Sequence, residues 1–108
     1  MDRTRPLVRE VLPDLAGELT ALLLEEGELG LATGVRELRL VAECDCAEAS
    51  CQSIRTSEHP PGRAYGPGHR TVPLLADAGL LVLDVVDDRI VYVEVLDRPP
   101  MRRRAAGM

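Results

Sequence analysis

The chain has 108 residues, an apolar fraction of 45% and a net charge of −5, which suit one folded domain and exclude wholesale disorder. The acidic balance excludes a nucleic-acid binder, because phosphate contacts need an excess of positive charge. All 13 basic residues are Arg, so Schiff-base and P-loop lysine chemistry are excluded as well.

The apolar content is aliphatic in kind, with no Phe or Trp and two Tyr. A core of Leu, Val and Ala gains its stability from many small contacts. The absence of Lys and Asn suggests a GC-rich, actinobacterial coding sequence. No apolar stretch approaches the length of a membrane span. The first residues lack an uninterrupted apolar run and a small-residue cleavage site, so the expectation is a cytoplasmic protein with reduced thiols.

In chain order, Val8, Leu12, Leu15, Leu19 and Leu22 recur at steps of three and four, the pattern of one helix face. Pro13 breaks a helix running through it but suits a helix start. The expectation is a helical turn over 6–12 and a main helix from Pro13 to about Glu26, closed by Gly27. Residues 28–34 read as a connection with a further helical turn. In "VRELRLVAEC" the residues Leu38, Leu40, Ala42 and Cys44 share one face at period two, which predicts a half-buried strand. "CQSIRTS" reads as a second strand, forming a hairpin with the first around "DCAEAS". "EHPPGRAYGPGHR" is a loop. "TVPLL" is a short strand that Pro73 confines to a sheet edge.

The last element, "GLLVLDVVDDRIVYVEVLDRPP", is a hairpin. A three-residue turn over Asp87–Arg89 pairs Val86 with Ile90, Val85 with Val91 and Leu83 with Val93, gathering the aliphatics on one face. A type I turn with a G1 bulge accounts for Asp87 and Asp88. The other face carries Val82, Asp84, Tyr92 and Glu94. This hairpin resembles the closing hairpin of small bacterial α+β domains of unknown function, actinobacterial ones among them. The resemblance covers about a fifth of the chain. It implies a fold element and carries no site residue.

The expected fold is therefore α+β: an N-terminal helix packed on an antiparallel sheet of about four strands joined by hairpins. The domain spans residues 1–98, and residues 99–108 form an Arg-rich tail.

All three cysteines, Cys44, Cys46 and Cys51, lie within eight residues. Thiolates and imidazoles suit zinc, and His59 or His69 from the following loop would complete a Cys3His set. A Cys44–Cys51 disulfide across the hairpin is a second reading. A reactive thiol is a third. It is opposed by Glu43, Asp45 and Glu48, whose charges disfavour a thiolate. The fourth reading makes Cys44 a small apolar core residue and the others incidental.

No catalytic constellation emerges; a hydrolase using Cys51 with His69 has no third group to orient the base. The sequence thus points to a small acidic cytoplasmic binding or regulatory protein, an adaptor or an immunity-type inhibitor of a basic protein partner. A structural zinc protein is the alternative. Without that zinc no cofactor is expected, and neither nucleic acid nor membrane is an expected partner. Asp84, Tyr92 and Glu94 are the candidate partner surface, since Tyr beside charges on an open sheet face suits an interface.

Overall fold

The structure, a computed structural model, describes residues 5–43, 51–58 and 64–101. Among these residues three helices pack on a five-stranded antiparallel sheet: α1 (Val8–Val11), α2 (Pro13–Glu25), α3 (Leu29–Gly34), a 3-10 turn (Val35–Glu37), β1 (Ala42–Glu43), β2 (Ile54–Arg55), β3 (His69–Leu75), β4 (Leu80–Val86) and β5 (Arg89–Leu96). The strand order is β1-β2-β5-β4-β3. The fold is α+β, as expected, with one strand more than the sequence suggested.

Each helix boundary has a local cause. The Glu10 side chain accepts the Leu7 N–H at 3.1 Å, satisfying a donor at the start of α1. Pro13 occupies the first turn of α2, where no N–H is needed. Gly27, at φ +78°, ends α2: Glu28 N donates to Leu23 O and Gly27 N to Leu24 O, the Schellman pattern. The buried stripe of α2 is Leu15, Ala16, Leu19 and Leu23. Leu23 therefore takes the fully buried place expected for Leu22.

The segment 35–43 departs from the expected long strand. Leu38 caps the 3-10 turn, and only Ala42 and Glu43 join the sheet. Leu38 and Leu40 still pack against the core. Their backbone is held by the N-terminal segment instead, with Val8 N donating to Leu38 O and Leu40 N to Pro6 O. The hairpin pairing itself is present: Ala42 faces Arg55 and Glu43 faces Ile54. The expected turn "DCAEAS" falls outside the described residues, which resume at Cys51.

The β4–β5 hairpin combines two registers. Leu83 faces Val93, as the shared apolar face requires. The turn, however, has two residues, because Val86 faces Arg89. Asp87 and Asp88 both have positive φ, 50° and 64°, which is the type I′ geometry that matches strand twist. A bulge absorbs the mismatch: Asp84 faces Tyr92 and Val85 faces Ile90, leaving Val91 unpaired in that ladder. Ile90, not Val91, therefore enters the core. Thr56 fixes the bulge, its hydroxyl donating to Ile90 O at 2.7 Å and its N–H to Val91 O at 3.0 Å.

β3 is an edge strand, as Pro73 demanded. Gly68 O and Ala76 N both bond inward, to Asp87 N and Gly79 O. By alternation the odd residues of β3 turn their backbone outward. Pro73 thus costs no ladder bond and interrupts the outer row of donors.

The core fills the space between the helices and one sheet face. Leu12, Leu15, Leu19 and Leu23 meet Ile54, Leu74, Leu81, Leu83, Val85 and Val93, all essentially solvent-free. Two arginines clamp the layers. Arg98, after β5, grips Glu18 of α2 with both Nη atoms. Arg70 of β3 does the same to Glu28 before α3, at 2.9 Å for each bond. The Arg70 hydrogen bond holds the Glu28 carboxyl below its ordinary value.

Replacing Leu83 by Ala is expected to cost about 2–5 kcal/mol, the range for a buried leucine. Leu75→Ala, at a side chain 83% exposed, is expected to stay within about 0.5 kcal/mol. Gly79, at φ +85°, lies where a Cβ would meet Leu96 O, so Gly79→Ala is expected to cost about 1 kcal/mol or more. Urea unfolding midpoints of the three variants check this ranking.

Candidate functional site on the open face of the sheet

The helices cover one face of the sheet. On the other, pairing aligns a row across all five strands: Ala42, Arg55, Tyr92, Asp84 and Thr71. His69, two residues before Thr71, shares this face because side chains alternate.

These side chains form one connected polar group. His69 Nε2 lies 2.8 Å from Asp84 Oδ1 across β3 and β4. The Tyr65 ring rests against the His69 ring, with centroids 4.7 Å apart and planes tilted by 39°. Arg55 of β2 lies near enough to Tyr65 to act on its phenol. The Arg55 guanidinium also stands 5.3 Å from the centre of the Tyr92 ring, within cation–π range. The segment before β3 is in this way held against the middle of the sheet.

Burial, first, and the charge of Asp84, second, push the Tyr65 phenol above its ordinary value, while Arg55 acts the other way. The folded chain therefore holds the Tyr65 proton more tightly than the unfolded chain does. This contribution to stability is complete below a pH of about 10, and is lost as pH rises through the raised folded value.

The structure separates the proposed metal ligands. Cys51 sits beside β2, at the sheet end where Gln52 Nε2 donates to Arg98 O and Pro99 O. His69 pairs with Val86, at the opposite end and on the far edge strand. Three strand spacings, roughly 14 Å, lie between β2 and β3 alone. His69 is also already engaged with Asp84. Among the described residues no three His, Cys, Asp or Glu side chains converge on a metal position. The zinc reading is corrected on that finding. Cys44, Cys46 and His59 lie outside the described residues. Cys51 carries a free, half-buried thiol, and the same separation denies it His69 as a base.

Asp84 and Tyr92 stand in the polar row, and Glu94 is exposed one row further on, facing Val82. The sequence reading missed Arg55, Tyr65 and His69 as their companions. Only the β2–β5 register brings Arg55 beside Tyr92, and nothing local in "SIRTS" signals it.

A cleft of about 510 Å³ opens elsewhere, between α3 and the tip of the β4–β5 hairpin. Its wall includes Gly30, Gly34 and Leu31, and its charged groups Glu37, Arg39, Asp87, Asp88 and Arg89 are of both signs. Among the described residues no helix is long and apolar enough to cross a membrane. Comparison with protein-family models, with curated proteins and with solved structures returns no match.

Asp84→Asn removes one of the two influences that raise the Tyr65 phenol, and is expected to move its ionisation to lower pH. Arg55→Gln is expected to move it higher. Ultraviolet titration of tyrosinate, with Tyr92→Phe to assign the two phenols, reads both. Ionisation of Tyr65 at or below the value of free tyrosine would contradict the arrangement.

Proposed function

We propose that the protein is a small cytoplasmic binding protein, an adaptor or inhibitor, that holds a basic polypeptide partner on the open face of its sheet. One observation carries this reading: the face that no described helix covers presents a tyrosine–arginine–histidine–aspartate group fixed by its own contacts. Such a group loses little side-chain freedom on binding, which favours affinity. Tyr and Arg are also the residues in which interface energy concentrates. The net charge of −5 supports a basic partner through electrostatic steering.

Affinity capture from the native host tests the reading. A polypeptide retained in stoichiometric amount by the full chain, and released by added salt, is the expected result. Tyr92→Ala is expected to weaken that complex by about 2 kcal/mol or more, the loss of a central interface contact. Repeated recovery of the chain without a partner, or capture indifferent to Tyr92, Arg55 and Glu94, would contradict it.

A further inference from the structure

The open face changes character along the strands. Towards the end remote from the Asp87–Asp88 turn, one row holds Pro73, Val82 and Glu94, and the next holds Leu75, Leu80 and Leu96. Leu75 is 83% exposed and Leu96 is 37% exposed. Val82 and Leu80 are half-buried. Five apolar side chains thus lie together with no described helix over them.

Among the described residues, the unpaired charges at this end are of one sign. Glu94 stands in the patch, Asp77 lies in the turn between β3 and β4, and Asp97 follows Leu96 directly. All three are exposed, and none is in an ion pair among the described residues. The nearby cation, Arg98, is committed to Glu18 on the helix side.

We infer that this end of the sheet docks a short aliphatic segment of a partner polypeptide, flanked by Lys or Arg, with the aliphatic side chains on Leu75, Val82 and Leu96 and the cations on Glu94, Asp77 and Asp97. The inference rests on the binding reading above and names the subsite and the chemistry of its occupant. An apolar centre with a charged rim is the anatomy of a protein interface. The long stems of Lys and Arg cover apolar surface while their heads reach the rim. Addition of a strand to the β3 edge is opposed by Pro73, which breaks the outer row of donors. A second copy is opposed by charge, because two-fold pairing of identical patches sets Glu94, Asp77 and Asp97 against their own copies. Anionic lipid meets the same repulsion.

Three synthetic peptides of equal length test the inference by NMR titration of the isotope-labelled full chain. One has two leucines flanked by arginines, one has glutamates in place of the arginines, and one has serines in place of the leucines. Only the first is expected to shift the amides of Leu75, Leu80, Val82, Glu94 and Leu96. Leu75→Glu and Glu94→Arg are each expected to weaken it about tenfold, as for loss of one anchoring contact. Leu75 is exposed, so its replacement leaves the core intact. Equal binding of the serine peptide would overturn the inference, as would absence of shifts with all three. Shifts confined to Arg55, Asp84 and Tyr92 would overturn it while leaving the binding reading in place, which the capture experiment decides separately. Self-association abolished by Leu75→Glu would overturn it in favour of a second copy.

Discussion

Leu83 faces Val93 at the centre of the sheet, and Ile54 and Val72 extend that row over four strands. This alignment carries the rest of the structure. Side chains alternate along each strand, so a slip of one residue would carry the aliphatic rows to solvent and the polar row into the core. The demand is strong enough to override the turn. The chain adopts the two-residue turn that strand twist favours, then spends Val91 as a bulge to keep Leu83 on Val93. The same alignment dictates what lies opposite the core: Arg55, Tyr92, Asp84 and Thr71 must share the far face.

The parts of the fold legible in the sequence are those with strong periodicity or a residue of unique backbone demand. The α2 stripe, the Pro13 start, the Gly27 stop and the edge placement of Pro73 all follow from local chemistry. What was misread depended on distant partners. Leu38 and Leu40 alternate like a strand, yet Pro6 and Val8 supply their backbone bonds, so the segment packs without entering the sheet. The three-residue turn expected over Asp87–Arg89 follows from keeping the aliphatics on one face, a demand the chain meets instead with a two-residue Asp87–Asp88 turn and a bulge at Val91. The candidate site was half legible. Asp84, Tyr92 and Glu94 follow from alternation within one hairpin, whereas Arg55, Tyr65 and His69 join them through tertiary register.

The cysteine stretch shows the opposite case, where clustering in sequence suggested chemistry that the sheet does not assemble. Cys51 lies beside β2 and His69 on the edge strand β3, at different ends of the same sheet. His69 is drawn to Asp84 instead, and Tyr65 closes over the pair. Chemical interest therefore moves from the thiols to the open face, where a self-supported polar group adjoins an apolar, acid-rimmed end. The helix layer and its Arg98–Glu18 and Arg70–Glu28 clamps leave that face free of any described helix.

Covalent side-chain footprinting of the full chain, alone and with the arginine-flanked leucine peptide, tests this division of the two faces most directly. Free Leu75 and Leu96 are expected to label readily and Leu81 and Leu83 to be protected. Peptide should then protect Leu75 and Leu96 while leaving Leu24 and Leu29, exposed on the helix layer, unchanged. Protection of Leu24 and Leu29 with Leu75 still fully labelled would place the binding surface on the other side of the molecule and contradict the account.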